Sequence, residues 1–206
     1  MIIAVDGPTA SGKGTIAKAL AAHFGLPHMD TGLLYRAVGF EVCARGGDPD
    51  DAAAALAACN FAEELLGHPD LRSEESGGLA SRVSVHPEVR RALYERQRAY
   101  ALQPGGAVLD GRDIGTVIAP EAEVKLFVTA SVAARAQRRL AEMNKYGRAA
   151  TLAEITAALE ARDTRDGARK TAPLLAAEDA IILDNSLLSR EESIARAIAL
   201  AELALG

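Results

Sequence analysis

A four-residue apolar run, Ile2-Ile3-Ala4-Val5, is followed almost at once by Gly7-Pro8-Thr9-Ala10-Ser11-Gly12-Lys13-Gly14-Thr15, and a helical pattern starts at Lys13. Strand, glycine-bounded loop, lysine and helix in that order admit few folds. The form G-x-x-x-x-G-K wraps successive backbone N–H groups around phosphate oxygens. Gly7 and Gly12 let the chain turn, Lys13 brings a mobile positive charge, and the helix adds the positive end of its dipole. A bound nucleoside triphosphate, or at least a polyphosphate, is the expectation. One departure concerns the metal: Gly14 stands where a hydroxyl usually follows the lysine, and Thr15 comes one place later. Mg²⁺ is therefore expected to rest mainly on phosphates and water, with Thr15 and Asp110 the protein groups within reach.

Further apolar runs recur along the chain. Ala107–Leu109, Val124–Val128 and Ala180–Leu183 read, like Ile2–Val5, as short buried strands, and a weaker strand surrounds Pro27 to Met29. Helical patterns fill 13–24, 32–45, 86–101, 131–145, 151–166 and 190–204. Near-continuous apolar strands alternating with helices predict an α/β fold with a doubly wound parallel sheet. Its ligand belongs beyond the C-terminal strand ends, where Gly7, Asp30, Asp110 and Thr129 fall. Two segments break the rhythm and read as parts of one domain spanning 1–206: a small insertion at about 60–85 and a short lid at about 143–150. Thr151-x-x-Glu154 reads as a capping box.

Composition narrows the functional classes. With 206 residues the chain holds one domain, and with 4% aromatics and no Trp its core must come from Ala, Leu, Val and Ile. A net charge of −5 argues against a general nucleic-acid binder. No apolar run approaches the roughly 20 residues of a membrane span, and Ile2–Val5 lacks the charged lead of a signal peptide; a cytoplasmic protein is expected, and a monomer, since nothing in the sequence demands more. Cys43 and Cys59 read as two buried free thiols, and the four histidines as incidental.

Three more motifs carry charge toward the same end of the sheet. In Asp30-Thr31-Gly32-Leu33-Leu34-Tyr35-Arg36, Thr31 is placed to cap a helix and Arg36 to grip a second phosphate. Asp110-Gly111-Arg112-Asp113 closes the third apolar strand, with Asp110 placed to organise Mg²⁺ through water. In the late helix, Ile155, Leu159, Arg162, Asp166 and Arg169 fall four, three, four and three residues apart and share one face if the helix runs that far. The stripe turns from apolar to charged, so its second half should emerge over a polar cleft.

On these motifs, together with Ile114-Gly115-Thr116 after Asp113, the chain resembles the bacterial cytidylate kinases, of the nucleoside monophosphate kinase group of P-loop proteins. The resemblance covers essentially the whole length. It implies transfer of a phosphoryl group from ATP to CMP, with dCMP a second acceptor. It assigns Ser81, Arg90, Asp113 and Arg169 to the cytosine, Arg162 and Asp166 to the sugar, and Arg36 and Arg112 to the acceptor phosphate. Thr31 and Tyr35 join the acceptor side, residues 60–85 become an acceptor-binding insertion shorter than the enterobacterial one, and Arg135, Arg138 and Arg139 fall near the lid and triphosphate. Catalysis rests on Lys13, Arg36, Arg112 and Asp110. The base assignment makes chemical sense, since arginine only donates and a carboxylate only accepts; uracil would mispair with both. A kinase of another small acceptor and a nucleotide-dependent switch remain alternative readings of the same residues.

Overall fold

The computed structural model describes residues 1–145 and 149–206. The chain forms two compact units, Met1–Met29 with Ala101–Gly206, and Asp30–Tyr100.

The first unit is built on a sheet of order β2-β3-β1-β4-β5. Its strands are β1 (Ile2–Asp6), β2 (His28–Asp30, whose last residue opens the second unit), β3 (Ala107–Gly111), β4 (Val124–Thr129) and β5 (Ile181–Asp184). β1 runs parallel to both β3 and β4, and β4 parallel to β5. Every residue of β1 and β3 is buried, as expected of central parallel strands covered on both faces. β5 departs from the expected buried strand: Leu183 alone is buried, and Ile182 is 54% exposed. The reason is position, since β5 is an edge strand.

The helices of this unit are α1 (Lys13–Phe24), α6 (Val132–Lys145), α7 (Leu152–Gly167) and α8 (Arg190–Leu205). Ile16, Ala17, Leu20 and Ala21 of α1 and Ala197 and Ala201 of α8 pack with Ile3, Val5, Val108, Leu126 and Leu183 in the main core. Alanines on both helices make close approach possible without aromatic bulk. A smaller cluster joins Ala136 of α6 to Ile155 and Leu159 of α7, the apolar half of the stripe read from the sequence. The capping box at Thr151 and Glu154 is formed, with both reciprocal bonds.

The second unit is helical: α2 (Gly32–Ala44), α3 (Ala52–Ala57), α4 (Glu74–Val83) and α5 (Pro87–Ala101, ending one residue past the unit boundary), with short 3₁₀ turns at Glu63–Gly67 and Pro69–Arg72. The 60–85 stretch therefore contains regular structure that its Gly, Pro and charges obscured. Asp51 and Ser73 each accept a bond from a first-turn N–H and start α3 and α4. Thr31 does not cap α2 with its side chain: its backbone is already helical, at φ −66 and ψ −20, whereas a capping hydroxyl needs the extended backbone seen at Ser73. The two cysteines are less covered than expected. Cys43 is exposed and Cys59 half-buried, because Cys43 lies beside rather than on the α2 face that buries Val38 and Val42.

Candidate functional site

The phosphate loop follows β1 and ends where α1 begins. Gly7 is buried with φ 151, and a Cβ there would sit 2.0 Å from the carbonyl oxygen of Val128. No other residue fits. At the far end Gly12 adopts the left-handed conformation as the residue before α1. Between them Ala10, a non-glycine residue, also has a positive φ of 60, an unfavoured geometry that persists only when its surroundings enforce it.

Three side chains supply that enforcement. Arg112 Nη2 donates to Thr9 Oγ1 at 2.7 Å, and Arg135 Nη1 donates to the Thr9 carbonyl at 3.2 Å. Beyond Ala10, Asn185 Nδ2 donates to the Ser11 carbonyl at 2.9 Å. Asn185 is itself held by Arg138, which donates to its Oδ1 at 2.9 Å. Arg135 is fixed by Asp163 in a two-pronged pair, 3.0 and 2.5 Å. Arg135 and Arg138 thus brace the phosphate loop, while Arg139 pairs with Glu142 within its own helix at 2.7 Å. The expected lid at 143–150 includes 146–148, which lie outside the described residues.

The β3 end brings the Asp110–Asp113 motif against this loop. Arg112 also donates from Nε to Asp166 Oδ2 at 2.9 Å. Asp166 takes a second bond, on Oδ1, from Arg169. α7 ends at Gly167, so Arg169 lies past the helix and returns to Asp166 from the following turn. Burial pushes the Asp166 carboxyl up, but Arg112, Arg169 and Arg162 outweigh it and hold the group below its ordinary value. Asp113 is 4% exposed and precedes a short π-helical turn, Ile114–Ile118.

Two residues near the site carried no signal in the sequence. Asp6, at the end of β1, accepts from the backbone N–H groups of Ile114 and Gly115 at 2.9 and 2.8 Å. Burial pushes its carboxyl up to about 7, with Asp113 adding to the rise, while the two N–H groups and Lys13 oppose it. His28 Nε2 lies 2.7 Å from Asp110 Oδ2. Nothing about a lone Asp or His reveals such partners before the strands are aligned.

Gly14 matters for what it omits. A Cβ at that position would stand 3.8 Å from Asp110 Oδ1 and 3.9 Å from Oδ2, so both carboxylate oxygens face the first turn of α1 across a gap that a side chain would fill. That cradle fits a hydrated Mg²⁺ carried in on phosphates, an ion that keeps several waters and takes one or two carboxylates.

Within the second unit, Arg36 Nη1 donates to the carbonyls of Leu71 and Ser73, each at 2.8 Å. Its guanidinium is thereby pinned just before α4. Arg90 is 8% exposed and lies over the Tyr35 ring, 5.4 Å from its centroid. Ser81 is 2% exposed, and its carbonyl accepts from Ser84 Oγ at 3.1 Å. Arg90 Nη1 reaches the Ser84 carbonyl at 3.4 Å. Thr31, Tyr35, Arg36, Ser81 and Arg90 thus all belong to this unit, and Lys13, Asp110, Arg112, Asp113, Arg162, Asp166 and Arg169 all belong to the first.

The parallel sheet, the glycine-bounded loop and the lysine-led helix define a phosphate-loop α/β protein. The family model for cytidylate kinase matches residues 3–203. The chain is 52% identical to a cytidylate kinase of Xanthobacter autotrophicus over 98% of its length and 97% of the relative's. It is 54% identical to one of Cereibacter sphaeroides, covering 98% and 95%. The chain belongs to the cytidylate kinase family. Among solved structures, an uncharacterized protein from Eubacterium ventriosum shares the fold, with a TM-score of 0.55 at 14% identity, covering 98% of each chain. Among the described residues no helix is long and apolar enough to cross a membrane.

Proposed function

We propose that this protein transfers the terminal phosphoryl group of ATP to CMP, and also to dCMP, as a cytoplasmic monomer using Mg²⁺. An oxygen of the acceptor's phosphate attacks the γ-phosphorus in line, the bond to the β–γ bridging oxygen breaks, and ADP leaves. That acceptor oxygen is already anionic near neutral pH, so no general base is needed. Positioning and neutralisation of spread negative charge supply the rate.

In the first unit, the loop from Gly7 to Thr15 binds the triphosphate through its N–H groups, and Lys13 follows the charge on the β- and γ-phosphates. Asp110, with Thr15 in the first turn of α1, would hold the waters of a Mg²⁺ ion carried in on the nucleotide, and that ion would offset phosphate charge. Arg112 serves the acceptor phosphate, Asp113 and Arg169 the cytosine edge, and Arg162 and Asp166 the sugar. In the second unit, Arg36 serves the acceptor phosphate and Ser81 and Arg90 the base, with Thr31 and Tyr35 lining the acceptor side; residues 60–85 shape that side. Segment 143–150 acts as a lid that keeps water from the γ-phosphate.

The observation that carries this reading is the double grip of Arg112 on Thr9 and Asp166. It fastens the Arg162–Arg169 segment, the part most particular to the cytidylate type, to the phosphate loop itself. A panel of acceptors with Mg²⁺-ATP tests it. CMP should turn over far faster than UMP, AMP or shikimate, with little hydrolysis of ATP alone. Comparable kcat/KM for UMP or AMP would refute the acceptor assignment.

A further inference from the structure

Of the four histidines, His28 is distinguished by its partner. His23 pairs with Glu202 at the surface, His68 is exposed, and His86 meets a backbone carbonyl. His28 instead meets Asp110, the carboxylate that faces the start of α1. The contact is built by the sheet. β2 lies beside β3, and Val108 N–H donates to the Pro27 carbonyl at 2.9 Å. That register sets His28 opposite Val108, and Asp110, two residues further along β3, lies on the same face of the sheet. The His28 side chain is 15% exposed and that of Asp110 4%, so little water competes for the bond.

We infer that His28 is a positioning residue of the donor site: its Nε2–H holds Asp110 Oδ2 and so fixes the carboxylate that faces the Gly14 gap, where the waters of nucleotide-bound Mg²⁺ would arrive. The inference rests on the role given above to Asp110. A carboxylate only accepts, so Nε2 carries the shared proton and the imidazole acts as a fixed donor. Gly14 offers no side chain with which to orient Asp110, and the histidine behind the carboxylate takes over that task. Partners standing behind a metal-site carboxylate fix its orientation, and their loss commonly weakens metal binding by about 10–100-fold.

The test compares the full-length protein with His28→Ala and His28→Gln. Mn²⁺ affinity of the protein–ATP complex is followed by electron paramagnetic resonance, and metal-free ATP affinity by calorimetry in EDTA. His28→Ala should weaken Mn²⁺ binding by about 10–100-fold with metal-free ATP affinity unchanged. His28→Gln, which keeps an N–H donor, should recover most of the loss. Mn²⁺ affinity within twofold of wild type in His28→Ala would overturn the inference, and so would an equal loss of metal-free ATP binding. Should His28→Ala fail to fold, His28→Leu, with similar bulk and no donor, carries the same comparison. Asp110→Asn separates the two levels. If it weakens Mn²⁺ binding while His28→Ala does not, only the role of His28 falls; if it has no effect, the role of Asp110 falls and that of His28 with it.

Discussion

Arg112 and Asp166, fifty-four positions apart, meet through an Nε-to-Oδ2 bond of 2.9 Å with side chains only 16% and 2% exposed. Asp166 also holds Arg169, so one carboxylate orders two guanidinium groups. Removing one member of a buried ionic group leaves the others uncompensated, typically at a loss of about 3–5 kcal/mol. Asp166→Ala should therefore lower stability by roughly that amount, read as a fall in the urea midpoint. Arg112→Lys keeps the charge but cannot span Thr9 and Asp166 together. It should retain most of the stability and lose activity, so that the two variants separate folding from catalysis.

Lys13 opens α1 directly behind the loop. Lys13→Ala should lower kcat by roughly 10²–10³, as loss of a preorganised charge-stabilising group does elsewhere, with the melting temperature little changed. Near wild-type turnover in that variant would mean the donor site lies elsewhere.

Asn185 sets the loop from the side of β5 through the Ser11 carbonyl. With Asn185→Ala that carbonyl loses its buried donor, a change worth about 1–3 kcal/mol. The loop conformation around Ala10 then relaxes. KM for ATP should rise roughly tenfold while KM for CMP stays near wild type. Equal changes in both would point to general loosening.

The base-reading assignment predicts a change of selectivity. If Asp113 and Arg169 reject uracil by mispairing, Asp113→Asn and Arg169→Met should each raise UMP relative to CMP in kcat/KM. Because a pocket built on buried hydrogen bonds can discriminate by up to roughly 10⁴–10⁵, the ratio has far to move, and an unchanged ratio counts against the assignment.

Asp6 gives a pH dependence of defined sign. Its carboxyl is raised from 3.8 to about 7 in the folded protein. Between those values the folded state holds a proton that the unfolded state has released, so stability falls as pH rises through the window and levels off above about 7. The fall is on the order of a few kcal/mol. Asp6→Asn has no such proton. It should be less stable at low pH, having lost an acceptor for Ile114 or Gly115, yet show a flatter profile. Urea midpoints from pH 4 to 8 for both proteins check this.

The amino-acid sequence by itself determined the elements that local chemistry dictates. The apolar runs became strands because short, continuous aliphatic runs bounded by turn residues suit a parallel sheet covered on both faces. Gly7, Gly12 and Lys13 announced the phosphate loop because backbone freedom and charge there are properties of single residue types. The capping box at Thr151 and the apolar half of the Ile155–Arg169 stripe were equally local. Where a local signal was ambiguous, the reading fell short. Gly and Pro in 60–85 masked the helix started by Ser73, and Thr31 offered a capping residue whose backbone was already helical. Only the tertiary structure decided which charges meet. The order of strands set His28 behind Asp110 and Asp6 beneath Ile114 and Gly115; the return of the chain after α7 brought Arg169 to Asp166, and the end of β5 brought Asn185 to Ser11. These partners lie up to 174 positions apart, and periodicity carries no information over such separations. Burial then turned ordinary Asp, His and Asn residues into braces, because only away from water does one hydrogen bond fix a side chain.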